Sequence, residues 1–296
     1  MNLFLHSSFQ PMLLSEVKEP FDDENYFFEM KFDGMRAVVF ASPKSVRIQN
    51  RHGKDVTSKF LELQKIKDLV DRATVFDGEI VCFQDGKPNF SMLQKRILGK
   101  NEAIPVVFVC FDLLYDGKDL TRVPLEERKK ILDKFRDTDY FVKTFFVVGN
   151  GKKFFRKIVS NQLEGMVAKK RDSLYFVNTR SLEWIKVKYL KREWFVIGGY
   201  GYTVSKSVFS LYLGEYKDGK LIYVGKVFVS RKNELFVLLT RIERKKCSFK
   251  ENNFSEEVHF VALKWWAEVE FLERGSKGGL RHPVFIRFKK ALVNFD

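Results

Sequence analysis

Lys31-Phe32-Asp33-Gly34-Met35-Arg36 lies between two strand-like runs, residues 26–30 and 37–40. Both runs predict β-strands, and an Asp-Gly pair favours a tight turn between strands. Lys31 would end the first strand, with its side chain held by the sheet. A neutral lysine amine placed in line with a leaving group can form a covalent bond to phosphorus. The stretch therefore predicts either a nucleophilic lysine or an ordinary hairpin with a solvated lysine.

The composition favours a protein of about two domains that binds a polyanion. The chain has 296 residues, of which 45% are hydrophobic, so it can bury sizeable cores. A net charge of +15 favours nucleic acid or an anionic membrane surface as the partner. No apolar run reaches the roughly 18 residues of a transmembrane helix, so we predict that the chain has none. The widely spaced Cys82, Cys110 and Cys247 form no metal or disulfide pattern. We therefore predict that the protein is located in a reducing cytoplasm.

Strand-like runs broken by turns dominate residues 26–112. Helical patterns are predicted at residues 57–69, 89–98 and 152–163, and another helix begins at the proline of residues 124–128.

The pattern changes after about residue 190, where Gly-rich turns separate five or so strands around one helix near residues 231–244. This content fits a small Greek-key barrel of the OB type. We therefore predict two domains, residues 1–189 and 190–296, that meet at the charged run 186–192.

Two strand-like segments carry carboxylates. Asp77 and Glu79 share one strand face because they are two residues apart, and burial of such groups is costly without a cation. Glu164 precedes an apolar run, next to a glycine that allows close backbone approach. Glu79 and Glu164 together suit Mg²⁺ on a triphosphate, since magnesium takes one or two protein carboxylates. The alternative is that each carboxylate lies on a solvated strand face or strand end.

Lysines alternate with apolar residues over residues 184–188. Lys186 and Lys188 share a face and repel each other, so a shared anion such as phosphate would stabilise the pair. The alternative is a basic, solvated edge strand that deters aggregation.

Two further residues have both a binding and a structural interpretation. Phe111 lies in the apolar run 107–114, where it stacks on a base or packs in the core. Arg51 lies at a predicted hairpin tip, which suits bidentate contact with phosphate or simply a surface position. The adjacent His52 is interpreted as a surface residue.

The order of these motifs resembles that of the covalent nucleotidyltransferases, the superfamily of ATP-dependent DNA ligases, RNA ligases and mRNA capping enzymes. The matching segments are residues 31–36, 50–53, 76–79, 111–113, 163–169 and 184–188. Four downstream segments resemble the ligase module of bacterial ligase D: residues 192–200, 221–227, 267–271 and 280–285.

The resemblance implies an α+β protein. Its first domain would be a nucleotidyltransferase domain, an ATP-grasp-like ligase core with antiparallel sheets, and its second a β-barrel OB-fold domain. It implies ATP-dependent sealing of 5′-phosphate/3′-hydroxyl nicks in duplex DNA through lysyl-AMP and AMP-DNA, with Mg²⁺ or Mn²⁺. We expect a monomeric bacterial enzyme of the cytoplasm and nucleoid, acting in DNA repair, recombination or end joining. A Ku-like end-joining protein is a candidate partner, and no membrane partner is expected.

The resemblance also implies a role for each motif residue. Lys31 is the adenylated nucleophile, and Lys186 and Lys188 contact the α-phosphate; these three form the predicted catalytic set. The other predicted nucleotide contacts are Glu29 and Phe111 at the adenine, Arg36 near the AMP ribose and the nick phosphate, Arg51 at the nick 5′-phosphate, and Glu79 and Glu164 at the nucleotide and metal.

The last motif departs from the family pattern. Relatives carry an Arg-x-Asp-Lys-like motif that orients pyrophosphate, whereas this chain has Lys289 in place of the arginine and lacks the acidic residue. Lysine lacks the planar fork of arginine, so we predict slower adenylation by ATP. The remaining basic runs, residues 152–153, 169–171 and 244–246, are predicted to bind the duplex backbone.

Two other functions share parts of this pattern. An RNA ligase or a capping guanylyltransferase has the same first motifs, although the downstream segments favour DNA. A catalytically silent nucleic-acid-binding protein would not need Lys31, Glu79 and Glu164 together.

Overall fold

The chain forms two compact units, Met1–Tyr189 and Leu190–Asp296. The computed structural model describes residues 3–5, 9–204, 207–250, 254–275 and 278–291. Both units consist mostly of β-strands, with few helices, which agrees with the predicted α+β class.

Twelve strands lie within the described residues of the first unit. They are β1 Leu13–Glu16, β2 Asp23–Met30, β3 Met35–Ser42, β4 Ser45–Asn50, β5 Thr74–Val81, β6 Phe83–Gln84, β7 Lys87–Pro88, β8 Val107–Asp116, β9 Phe141–Lys143, β10 Phe146–Gly149, β11 Gly165–Lys170 and β12 Arg180–Lys188. Its helices are α1 Phe90–Ile97, α2 Leu125–Leu132 and α3 Gly151–Ser160, with 3₁₀ segments at Leu3–Leu5, Thr57–Lys59 and Leu61–Leu69.

Two five-stranded sheets form the body of this unit. The first has the order β1-β12-β11-β2-β10 and the second β4-β3-β5-β8-β9. Pairing is antiparallel except between β1 and β12 and between β8 and β9. The strands β2 and β3 that flank Lys31 therefore belong to different sheets. The Asp-Gly segment carries the chain from one sheet to the other, and the predicted hairpin is wrong.

A shared apolar cluster joins the two sheets. Phe27 and Trp184 from the first sheet and Val38, Val75 and Phe111 from the second lie in one buried group. Residues two apart along a strand share a face. Since Trp184 lies in this cluster, Lys186 and Lys188 follow it on the inner face of β12. The alternation predicted for residues 184–188 thus places both lysines beside the inter-sheet core.

The predicted helix over residues 57–69 forms as 3₁₀ segments instead. Its buried residues are Phe60, Leu63 and Ile66, a spacing of three that matches the three residues per turn of a 3₁₀-helix. The α1 helix begins as predicted, because the Asn89 side chain accepts a hydrogen bond from the Met92 backbone N–H at 3.0 Å.

The second unit is built around β13, which runs through residues Lys191–Tyr202. β13 pairs antiparallel with three other strands of its sheet. The remaining elements are β14 Val208–Lys217, β15 Lys220–Ser230, α4 Leu235–Thr240, β16 Glu243–Arg244, β17 His259–Val261, β18 Trp265–Phe271 and β19 Val284–Lys290. Over the described part of this unit, the strand pairings do not close the sheet on itself. The predicted barrel is therefore not confirmed.

The helices of the described residues are all short. The longest α-helix has ten residues, Gly151–Ser160, and none of the helices described has the length and hydropathy to span a bilayer.

Candidate active site

A pocket of about 400 Å³, partly open to solvent, lies between the two sheets of the first unit. Charged residues from both sheets surround an aromatic floor. The lining residues are Leu14, Glu29, Met30, Lys31, Phe32, Arg36, Glu79, Phe111, Val167, Lys169 and Trp184.

Lys31 follows the end of β2 and is anchored by its backbone. Its N–H donates to the Gly165 carbonyl oxygen at 2.9 Å, and its Nζ lies 2.6 Å from Glu164 Oε1. Gly34 packs so closely that a Cβ there would clash with the Ile80 carbonyl oxygen. Gly34 therefore lets the chain pass close to β5. The Lys31 amine is held at the pocket beside the Glu164 carboxylate.

Glu29 is buried at one end of the pocket between two lysines. Its Oε1 lies 2.6 Å from Lys129 Nζ and its Oε2 lies 2.7 Å from Lys169 Nζ. All three side chains are at most 6% exposed. Burial lowers the pKa of Lys169 to about 8, although Glu29 opposes the shift. Lys169 therefore belongs to the pocket, and its predicted contact with the DNA backbone is wrong.

Phe111 lies under this cluster, and 8% of the residue is exposed. Lys169 Nζ is 3.9 Å from the centre of its ring, and Arg36 Cζ is 4.5 Å from it. Phe111 belongs to the core and also lines the pocket. Its position is therefore compatible with both interpretations, packing in the core and stacking on a base.

Arg36 is held by Asp77 through two hydrogen bonds. Arg36 Nε and Nη2 donate to Asp77 Oδ1 and Oδ2, each at 2.7 Å, and the Tyr175 hydroxyl donates to Oδ2 at 2.7 Å. Burial opposes the charge on Arg36, but Asp77 outweighs it and raises the pKa of the guanidinium. Asp77 thus serves as the buried counter-ion that fixes Arg36 beside Phe111.

Glu79 and Glu164 are the two residues that were predicted to bind a metal. Burial raises the pKa of Glu79 to about 8, with Lys31 and Arg36 acting against the shift and the Glu164 charge adding to it. A divalent cation would relieve this like-charge interaction, so the two residues fit a metal that takes its other ligands from phosphate and water. No cluster of three or more His, Cys, Asp or Glu ligands occurs among the described residues.

Lys186 and Lys188 share one carboxylate. Glu16 Oε2 lies 3.1 Å from Lys186 Nζ and 3.0 Å from Lys188 Nζ. The predicted shared anion is thus present as a side chain of β1.

Two predicted site residues, Arg51 and Lys289, are not among the residues that line this pocket. Arg51 is exposed in the turn after β4, where its Nε donates to His52 Nε2 at 2.9 Å. Lys289 belongs to the second unit, where its Nζ is 4.1 Å from the centre of the Trp194 ring.

Sequence reasoning missed Glu16, Lys129 and Tyr175 as parts of the site. Lys169 was also missed, but it carried a local signal: it is one of two lysines that end an otherwise apolar strand, and it lies two residues from Val167 on the same face. Glu16, Lys129 and Tyr175 reach the site from segments that are distant from the predicted motifs in the sequence, and no short pattern points to them.

Two family models match the chain. Residues 11–188 match the ATP dependent DNA ligase domain, and residues 205–291 match the ATP dependent DNA ligase C terminal region.

Individual relatives agree with these matches. The SPbeta prophage-derived DNA ligase-like protein LigB of Bacillus subtilis is 41% identical over 183 residues, 60% of this chain and 66% of the relative. The multifunctional non-homologous end joining protein LigD of Mycolicibacterium smegmatis is 30% identical over 289 residues, 93% of this chain. The chain thus spans 66% and 37% of the lengths of these two relatives.

The crystal structure of the ligase domain of M. tuberculosis LigD resembles the fold of this chain. The two superpose with a TM-score of 0.61 at 29% identity, and the match covers 95% of each chain.

Proposed function

The chain belongs to the ATP-dependent DNA ligase family, and we propose that it seals nicks in duplex DNA through a covalent lysyl-AMP intermediate. One observation carries the proposal: the Lys31 amine lines the same pocket as Phe111 and Glu29, with Lys186 and Lys188 on the adjoining inner face of β12. An amine, an aromatic adenine site and a lysine pair for phosphate are the parts that nucleotidyl transfer to lysine requires.

In the first step, Lys31 Nζ releases a proton to water and attacks the α-phosphorus of ATP. A nitrogen–phosphorus bond forms, the bond from the α-phosphorus to the bridging oxygen breaks, and pyrophosphate leaves. An ammonium group has no lone pair and is not a nucleophile, so Lys31 must be deprotonated before attack, which also ends its ion pair with Glu164. Lys186 and Lys188 would stabilise the charge that develops on the α-phosphate oxygens.

The adenine would bind in the pocket beside the Phe111 ring. Glu29 offers a carboxylate at its edge, and Lys129 and Lys169 fix that carboxylate by their ion pairs. A buried acceptor held from two sides suits an exocyclic amino group, which is the feature that separates adenine from guanine at that edge.

Two transfers to DNA would complete the reaction. The 5′-phosphate oxygen at the nick attacks the lysyl-AMP phosphorus and releases the Lys31 amine. The 3′-hydroxyl then attacks the 5′-phosphorus and displaces AMP. We propose Arg36 as a contact to the AMP ribose and the nick phosphate, and Arg51 as a contact to the nick 5′-phosphate.

Glu79 and Glu164 would hold Mg²⁺, with Mn²⁺ as a substitute. The bound cation would neutralise charge on the triphosphate. Before it binds, Glu164 pairs with Lys31 and keeps that side chain at the pocket.

The first unit would be the nucleotidyltransferase domain and the second an OB-fold domain. The repeated strands of the second unit, with the one helix found among its described residues, support this assignment. Lys289 as a contact to the pyrophosphate of ATP stays a prediction.

The proposed biological setting is DNA repair or end joining in the cytoplasm and nucleoid of a bacterium. The names of the LigD relatives include non-homologous end joining, which supports that setting. A Ku-like partner and a monomeric enzyme stay predictions. The net charge of +15 supports a DNA substrate.

The test is transfer of label from [α-³²P]ATP to the protein, followed by sealing of a nicked duplex. Lys31→Ala should abolish the label and leave nicked-DNA binding largely intact, because only the nucleophile is removed. Parallel assays with GTP, NAD⁺ and nicked RNA separate the proposal from a capping enzyme or an RNA ligase. Label on the Lys31→Ala protein would refute the nucleophile assignment.

A further inference from the structure

Glu16 lies on the face of the sheet that carries the proposed nucleotide site. Registered pairs join Glu29 to Val167, Val167 to Lys186 and Lys186 to Glu16 across β2, β11, β12 and β1. Because paired neighbours share a face, this row runs from the buried carboxylate of the pocket to the carboxylate on β1. Glu16 therefore points to the same side as the lysine pair.

The backbone of Glu16 is fixed, but its side chain is not enclosed. The Val17 N–H donates to the Lys186 carbonyl oxygen at 3.1 Å, which holds this end of β1 against β12. The Glu16 side chain is 45% exposed, whereas Lys186 and Lys188 are 23% and 31% exposed. Rotation of the Glu16 side chain into solvent would uncover both amines without any movement of the strand.

The contact uses the chemistry that a phosphate would use. One carboxylate oxygen of Glu16 forms ion pairs with both lysines. Phosphate oxygens accept the same kind of charge-assisted hydrogen bond. Burial raises the pKa of Glu16, but the hydrogen bonds from Lys188 and Lys186 outweigh it and the pKa lies below its usual value. The carboxylate is therefore ionised at neutral pH and neutralises part of the lysine pair.

We propose that Glu16 is an internal competitor of the nucleotide phosphate at Lys186 and Lys188. Its carboxylate occupies the lysine pair in the empty site, leaves it when the α-phosphate binds, and returns when AMP departs. The proposal rests on the proposed function, since that function places the α-phosphate at these lysines. It predicts that Glu16 weakens binding of phosphate-bearing ligands and has no effect on the nucleoside part.

A purely structural role for Glu16 makes a different prediction. Backbone hydrogen bonds also hold β1, including Leu13 N–H to the Thr179 carbonyl oxygen at 2.8 Å. Removal of the Glu16 charge should therefore leave the strand in place. If the carboxylate only braced β1, its loss would weaken binding of AMP and adenosine alike.

The test is calorimetric titration of the full chain with AMP and with adenosine at constant ionic strength. Glu16→Gln should bind AMP about fivefold more tightly, the size expected for removal of two partly exposed ion pairs, and adenosine equally well. Glu183→Gln is the matched control, because it makes the same charge change on the opposite face of β12, beside Lys170. It should change neither affinity. Unchanged or weaker AMP binding by Glu16→Gln would overturn the proposal.

Two further measurements separate this proposal from the proposed function. In a Lys188→Gln background, Glu16→Gln should improve AMP binding less, since one of the two contested cations is gone. Inorganic pyrophosphate probes the lysine pair without a nucleoside. If the wild-type protein takes no label from ATP, the proposed function fails, but tighter pyrophosphate binding by Glu16→Gln still upholds the competition. The competition is overturned if Glu16→Gln binds AMP and pyrophosphate no more tightly than the wild-type protein does. If Glu16→Gln is unstable, Glu16→Ala repeats the comparison.

Discussion

Replacing Asp77 with asparagine tests the contact that fixes Arg36 in the pocket. Asp77 is fully buried and accepts two hydrogen bonds from Arg36 and one from Tyr175, all at 2.7 Å. Asparagine keeps the shape and one acceptor oxygen but removes the charge, and it places amide N–H groups against guanidinium donors. Arg36 then keeps its charge and loses its counter-ion.

The magnitude follows from burial. Removing one partner of a buried ion pair costs about 3–5 kcal/mol. The Arg36 side chain is 14% exposed, and partial hydration from the pocket places the cost at the lower end, about 3 kcal/mol in free energy of unfolding. The matched control, Tyr175→Phe, removes one hydrogen bond to the same carboxylate and should cost only about 1 kcal/mol.

Urea unfolding followed by far-UV circular dichroism measures both values. For a unit of this size, a loss of about 3 kcal/mol lowers Tm by roughly 6–12 °C. Label transfer from ATP should also fall in Asp77→Asn, because Arg36 would leave its position over the Phe111 ring. The reasoning is refuted if Asp77→Asn costs no more than Tyr175→Phe, since the charge would then contribute nothing beyond a hydrogen bond.

Three other predictions concern the metal, the DNA and the second unit. Glu164→Ala should lower nick sealing by orders of magnitude and weaken its response to Mg²⁺, and wild-type sealing across a Mg²⁺ titration would contradict the metal assignment. Nicked-duplex affinity should fall steeply with salt, by a slope of about −0.9 in log K per phosphate neutralised; a nearly flat dependence would show that the basic surface serves another purpose. Lys289→Ala should slow labelling by ATP and spare sealing of a pre-adenylated nick, and Lys289→Arg should speed labelling because arginine binds phosphate oxygens in pairs. Equal changes in both steps would rule out this role for Lys289.

Patterns of two or three residues predicted local features well. The alternation of residues 184–188 predicted that Lys186 and Lys188 share a face, and both contact one carboxylate of Glu16. The glycine beside Glu164 was expected where the backbone packs closely, and a Cβ at Gly165 would clash with the Val187 carbonyl oxygen. Such features follow from the period of a strand and the size of one side chain, which a short window contains.

Local reasoning was wrong where two structures fit the same window. The Asp-Gly pair predicted a hairpin, but β2 and β3 pair with strands of different sheets. The helical pattern of residues 57–69 formed 3₁₀ segments, because the core accepts side chains at every third position there. Lys169 was predicted to bind the duplex backbone as part of the basic run 169–171, yet it lies buried against Glu29.

The sequence by itself determined the type of most elements, the faces on which the lysines lie and the motif order that identifies the family. Only the tertiary structure decided which charges meet: Glu29 with Lys129, Arg36 with Asp77, and Glu16 with the Lys186–Lys188 pair. The partners are separated by 41 residues in one case and by far more in others. Such contacts depend on strand order and register, which are set by how whole sheet faces bury one another. A charged residue in an apolar segment indicates that a counter-ion is needed. The packing of the sheets determines which residue supplies that counter-ion.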